Sequence, residues 1–137
     1  MRSTFKKEER LCSKKAIDSL FATGKSFGEF PLRVIHKEEK LNSNYPVKAL
    51  FSVPKKRFKK AVDRNKIKRQ LIAAYRQNKH VLYPVLEKCK KELSIAFVFT
   101  CSEHVPFDQI QDKIILSLQR LAKVYGQNDE LDPDRNN

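Results

Sequence analysis

The 137-residue chain contains only three glycines, too few for a glycine-rich loop that cradles phosphates. Its three cysteines, Cys12, Cys89 and Cys101, are odd in number and include no Cys-x-x-Cys pair. That pattern argues against a disulfide framework and a zinc site, and suits a reducing compartment. No apolar run is long enough to span a membrane. The opening MRSTFKKEER has no apolar segment of the kind a secretory signal needs, so the expected location is the cytoplasm. His36, His80 and His104 lie far apart and show no ligand or catalytic spacing, so each reads as structural or exposed. Glu38-Glu39 and Asp129-Glu130 fall in expected loop or tail, unlike the carboxylates of a two-metal nuclease. No catalytic residue and no metal site is therefore expected in this chain. Acids are scarce overall: 16 Asp and Glu stand against 29 Lys and Arg, for a net charge of +13. Such a balance points first to nucleic acid and second to an anionic membrane surface. The membrane reading needs a helix with a free, bulky apolar face, and the candidate helix described next needs that face for its own core.

The positive charge is concentrated. Between Lys55 and Arg69, KKRFKKAVDRNKIKR, nine residues are basic and one, Asp63, is acidic, a local charge of +8. A solvated helix face usually mixes signs, because like charges one turn apart repel. A single-sign cluster of this density is tolerated where a polyanion binds over it. On a helix at about 100° per residue, Ile67, Leu71, Ala74 and Tyr75 share one side, flanked by Arg64 and Lys68. Asn65, Arg69 and Arg76 share a neighbouring face, and Lys66 lies further round. Ile72 falls about 80° from Arg64, on the basic side. The apolar stripe can seat the helix on a core. The remaining arc then offers guanidinium, ammonium and carboxamide groups to phosphate oxygens, base edges and ribose hydroxyls. A solvated basic helix or a nuclear-localisation run is the plainer alternative.

The length suits one domain with a core of useful size. A content of 40% hydrophobic and 33% charged residues describes a globular chain with a highly charged surface. Residues 1–10 are charged and expected to be flexible. Ser13 can cap a short helix with Ile17, Leu20 and Phe21 on one face and Gly24 just past its end. Residues 27–36 alternate, with Phe30, Leu32 and Val34 on one face and Pro31, Arg33 and Ile35 on the other; Pro31 marks an edge or a bulge. A polar turn at Asn42-Ser43-Asn44 leads to a second strand over 47–53, and the two strands read as an antiparallel hairpin. The basic helix is expected from about Lys60 to about Asn78. Residues 80–92 are ambiguous, apart from a short helix that Pro84 could open. Residues 93–100 form a near-continuous apolar run, a strand buried on both faces. Pro106 opens a last helix carrying Phe107, Ile110, Ile114, Leu118, Leu121 and Tyr125 at three- and four-residue spacing. Residues 126–137 are acidic and read as a disordered tail. The order is α-β-β-α-β-α, an α+β domain over 11–125 with a small mixed sheet. Strand 47–53, the basic helix and strand 93–100 form a β-α-β unit.

The motif Arg64-Asn65-Lys66-Ile67-Lys68-Arg69, preceded by Phe51-Ser52-Val53-Pro54-Lys55-Lys56 and Ala61-Val62, resembles the signature of the protein subunit of bacterial ribonuclease P. The resemblance runs from about Leu11 to about Tyr125. The family usually reads Arg-Asn-Arg; Lys66 keeps the charge but not the planar fork. Relatives often carry an Arg at the place of Ile72, and some an aromatic at the place of Arg33. The resemblance implies a left-handed β-α-β crossover, although such crossovers are right-handed in about 98% of cases. It also implies a ribonucleoprotein endonuclease that hydrolyses one phosphodiester bond to remove the 5′ leader of precursor tRNA. The catalytic centre and its Mg²⁺ would belong to the RNA, and this chain would bind no cofactor itself. Its share would be to bind the catalytic RNA and the leader and to screen two polyanions from each other. The implied partners are RNA, with neither DNA nor membrane.

On that resemblance we divide the cluster between two RNAs. Lys55, Lys56, Arg57, Lys59, Lys60, Arg64, Asn65 and Lys66 are expected at the RNA subunit, with Arg64 exposed. Phe21, Phe30, Arg33, Lys68, Arg69, Ile72 and Arg76 are expected to border the leader cleft. The place of Phe21 rests on the aromatic that relatives carry there. Ile72 is expected to be exposed and to pack on a leader base or ribose, unless the core wraps further round the helix and buries it. Two other readings stay open. One is a generic basic RNA-binding module, ribosomal-protein-like or an RNA chaperone, with no role in cleavage. The other is a stand-alone hydrolase with a dispersed site.

Overall fold

The structure, a computed structural model, describes residues 5–126. Helix α1 spans Lys14–Thr23, and the Ser13 hydroxyl accepts a hydrogen bond from the Ala16 N–H at 3.2 Å. This satisfies one of the donors a helix start leaves open. Gly24 follows, as expected, but for a different reason. Its backbone is extended, not left-handed, and a Cβ there would lie 2.5 Å from the Leu20 carbonyl oxygen. Close approach, and not a positive φ, requires glycine at this position.

The expected single strand over 27–36 is two strands. β1 (Lys25–Glu29) and β2 (Leu32–Glu38) pair antiparallel around Phe30 and Pro31, with Glu29 opposite Leu32. A two-residue turn leaves the period-2 alternation unbroken, so the pattern of Phe30, Leu32 and Val34 ran straight through the turn. Strand β3 (Val47–Ser52) does not pair with β2. Strand β4 (Leu93–Phe99) inserts between them, antiparallel to β2 and parallel to β3, for a sheet order of β1-β2-β4-β3. The expected hairpin of the second and third segments is thereby overturned. The polar turn at Asn42-Ser43-Asn44 suggested pairing, but the most apolar strand takes the centre, where both faces can be covered.

Helix α2 (Ala61–Asn78) and the short helix α3 (Tyr83–Cys89) connect β3 to β4, and helix α4 (Phe107–Gly126) ends the described chain. Leu93, Ile95, Phe97 and Phe99 of β4 pack with Ile67, Leu71, Ala74 and Tyr75 of α2 and with Ile110, Ile114, Leu118 and Leu121 of α4. Ala96 and Val98 face the other way, onto Leu20 and Ile17 of α1. The rings of Phe51 and Phe97 stack with centroids 5.2 Å apart, and Tyr75 meets Phe51 edge-on.

The hand of the crossover follows from the backbone. The Leu93 side chain points to the α2/α4 layer, while its N–H donates to the Pro46 carbonyl just before β3. For an L-residue this puts β3 on the right of β4 when that layer faces the viewer and both strands point up. The Ala49 carbonyl agrees, because it turns away from β4 to accept from the Leu11 N–H. The chain therefore climbs β3, returns through the near layer and steps left. The crossover is left-handed, against the usual preference.

The first described residues are part of the domain, so its start moves ahead of Leu11. Phe5 packs edge-on against Phe51 and Tyr75, and Arg10 bridges to Ala49 along the outer edge of β3. Gly126 is the last residue of α4; the rest of the acidic tail, 127–137, lies outside the described residues.

Candidate nucleic-acid interface

Because β3 and β4 are parallel, the loops that leave them emerge at the same end of the sheet. The first is residues 53–60, which carries the basic run into α2; the second is residues 100–106, which leads to α4. Phe58, the single apolar residue of Lys55–Lys60, is buried and packs on Phe99 with centroids 6.1 Å apart. It pins the loop, so Lys55, Lys56, Lys59 and Lys60 all project into solvent. Along α2, Asn65, Lys66, Lys68, Arg69 and Arg76 are also exposed. The stripe of Ile67, Leu71, Ala74 and Tyr75 is fully buried, as its spacing requires.

Arg64 and Arg57 are not free surface cations. Arg64 is half-buried, and its Nη1 donates to the Phe58 and Lys59 carbonyls at 2.9 and 2.8 Å. On the wheel it falls between Leu71 and Tyr75, about 20° from each, so the helix turns it inward under the loop. The expectation of an exposed Arg64 is corrected accordingly: it ties the basic loop to α2. Arg57 is half-buried too, donating from Nη1 to the Ser102 hydroxyl at 3.5 Å.

The residues expected at the leader cleft are carried on different layers. Phe21 of α1 is 46% exposed. Arg33 of β2 is exposed on the same side of the sheet as α1 and donates to the Ser26 hydroxyl at 3.0 Å. Lys68, Arg69 and Arg76 belong to α2, which packs on the opposite side. Phe30 sits at the tip of the β1–β2 turn, 68% exposed. It lines an open groove with Val105, Gln109, Lys113 and Leu116, at α4 and not at α1. Ile72 is half-buried and packs against the main core. Its expected exposure is corrected: the seating arc extends about 60° beyond Tyr75.

One residue of this surface had no signal in the sequence. His104 packs against Phe58 with the rings tilted and centroids 5.0 Å apart, and its Nε2 lies 3.4 Å from Oδ1 of Asp63. Only the parallel arrangement of β3 and β4 brings it there. His36, which is buried, is hydrogen-bonded through Nδ1 to the Tyr125 hydroxyl at 2.6 Å and belongs to the core.

This geometry can hold a polyanion. Lysine ammonium groups stand free on a pinned loop beside the start of a helix, with an amide (Asn65) among them. Among the described residues no three His, Cys, Asp or Glu side chains gather as a metal site, and no helix is long and apolar enough to cross a membrane.

A family model described as Ribonuclease P matches residues 5–122. The ribonuclease P protein component of Porphyromonas gingivalis is 40% identical over 119 residues, spanning 85% of each chain. That of Chlorobium phaeobacteroides is 34% identical over 96 residues, 67% of this chain and 65% of the other. The solved ribonuclease P protein of Thermotoga maritima superposes with a TM-score of 0.65 at 26% identity, covering 82% of this chain and 96% of that one. The Staphylococcus aureus protein, at 21% identity and a TM-score of 0.66, covers 85% and 97% and shares the fold. With nearly its whole described length matched in sequence and in fold, the chain belongs to the bacterial ribonuclease P protein family.

Proposed function

We propose that this chain serves as the protein component of ribonuclease P, assisting an endonuclease whose chemistry lies in its RNA. The observation that carries the reading is the Phe58-anchored loop. It fixes Lys55, Lys56, Lys59 and Lys60 in solvent beside the exposed Asn65 and Lys66 of α2. This face is assigned to the RNA subunit. Arg64 and Arg57 contribute by holding the loop in shape. The 5′ leader of precursor tRNA is assigned to the α1 side of the sheet, where an exposed aromatic, Phe21, can stack on an unpaired base and Arg33 can meet a phosphate. Lys68, Arg69 and Arg76 of α2 supply the remaining charge. Phe30 and Ile72 are left out of this leader path by their positions. The reaction's Mg²⁺ is assigned to the RNA, and the cytoplasm is the proposed location.

A reconstitution tests the reading. Precursor tRNA is incubated with Mg²⁺ and the pure protein, with and without the cognate RNA subunit. Faster cleavage at low Mg²⁺ only when both components are present supports it. Cleavage by the protein alone, or no enhancement of the RNA, overturns it. If about six phosphates are neutralised, the logarithm of the RNA-binding constant falls against the logarithm of salt with a slope of roughly −4 to −5.

A further inference from the structure

The basic surface contains one carboxylate at its centre. Asp63, in the first turn of α2, is the only acid between Lys55 and Arg69. Its charge repels an approaching phosphate and offsets part of the attraction of the lysines around it. The β4–α4 loop, far away in sequence, closes over this point. His104 places Nε2 3.4 Å from the Asp63 carboxylate and sets its ring, tilted, against Phe58, the anchor of the basic loop. Two residues earlier, the Ser102 hydroxyl accepts from Arg57, another member of the cluster. The same loop therefore touches the basic run at Arg57, Phe58 and Asp63.

We infer that the β4–α4 loop is a positioning element for RNA binding, and that His104 acts by shielding the Asp63 carboxylate from the phosphates of the RNA subunit. The site takes a phosphodiester backbone and no particular base. His104 is half-exposed, so the contact is open to the ligand side and is not part of the interior. Preorganisation of this kind raises affinity without new contacts to the ligand, because the loop need not be ordered on binding. The inference rests on the assignment of the Lys55–Lys66 face to the RNA subunit.

A double-mutant cycle tests it on the full chain. His104→Ala, Asp63→Asn and the pair are titrated with the RNA subunit, and the free proteins are melted in parallel. Lys59→Ala/Lys60→Ala serves as control. The shielding account expects His104→Ala to weaken binding by at most about fivefold, the ceiling set by one unit charge across about 4 Å of water-like dielectric. In the Asp63→Asn background the same substitution has little effect, because no carboxylate is left to shield. An equal loss in both backgrounds overturns the inference. So does a lowered melting temperature with unchanged affinity of the folded fraction. If the lysine control also binds normally, the assignment of this face to RNA has failed; if only the control weakens, the inference about His104 alone has failed.

Discussion

Glu9 and Lys79, seventy positions apart in sequence, form an ion pair of 2.6 Å in which neither side chain has appreciable exposure. The carboxylate also accepts from the Lys6 N–H at 2.6 Å and the Tyr83 hydroxyl at 3.0 Å, and Tyr83 bonds in turn to Tyr75. Burial, with the Glu9 charge adding to it, raises the pKa of both tyrosine hydroxyls, so both stay protonated at any working pH. Removing one partner of such a pair leaves an uncompensated buried charge. Glu9→Ala is expected to cost about 3–5 kcal/mol of stability. Glu9→Met combined with Lys79→Met should recover much of it, since a buried pair and a well-packed apolar pair are often near parity. Urea unfolding of the free protein measures both. An unchanged midpoint for Glu9→Ala would mean that residues 5–11 are not clamped to the domain.

This clamp was invisible in the sequence. Glu9 lies in KKEER, which carries no periodicity, and nothing pairs it with a lysine at the end of a distant helix. The helices were legible because their apolar residues recur every three or four positions, as at Ile67, Leu71, Ala74 and Tyr75. The left-handed crossover was not: composition and spacing favour the other hand, and the expectation came from the resemblance alone. Strand partners were misread where period-2 alternation crossed the turn at Phe30 and Pro31, and where β4 displaced the nearest neighbour. At the candidate site, the exposed lysines were legible as charge density. The inward turn of Arg64 could have been found on the wheel, from its place between Leu71 and Tyr75. The approach of His104 to Asp63 could not, because it depends on which strands lie side by side.

Arg64→Lys separates charge from geometry. A lysine keeps the unit charge but ends in a compact ammonium on a shorter side chain, without the planar guanidinium whose Nη1 donates to both the Phe58 and Lys59 carbonyls. The variant is expected to lose about 1–2 kcal/mol of stability, discounted for the part-exposed setting. Its salt dependence of RNA binding should match that of the parent chain. A normal melting temperature with a shallower salt slope would instead make Arg64 a direct phosphate ligand.

Ile72→Arg tests how far the core wraps round α2. Because Ile72 packs against the main core, the substitution is expected to destabilise the free protein by about 1–3 kcal/mol. The half-buried position lets the guanidinium reach water along its own stem, which keeps the loss below that of a fully buried charge. Thermal melting checks this. A variant that melts with the parent chain and binds leader-bearing precursor tRNA more tightly would return Ile72 to the leader path.

His36 gives the fold a specific weakness on acidification. Its ring lies on β2 between Phe27 of β1 and Tyr125 of α4, at 5.7 and 5.4 Å between centroids. Burial lowers its pKa from the ordinary 6.5, and the nearby charges of Lys25 on β1 and Arg120 on α4 lower it further. The Tyr125 hydroxyl, pushed up to about 12 by burial and by Glu38, stays protonated and hydrogen-bonded to Nδ1. The unfolded chain therefore takes up the histidine proton at a higher pH than the folded one does. Stability then rises with pH across the gap between the two values. It is fully present above about pH 6.5 and is lost as the pH falls through and below that value toward the lowered folded one. His36→Gln keeps a polar partner for Tyr125 and removes the titration. Melting temperatures compared between pH 8 and 5 should show the parent chain losing more stability than the variant below pH 6.5, with the two curves parallel above it. Carboxylate protonation acts on both proteins alike and cancels in the difference. Curves that stay parallel across the whole range would mean that His36 accepts its proton as readily folded as unfolded, and that the contact between α4 and β2 does not depend on its charge.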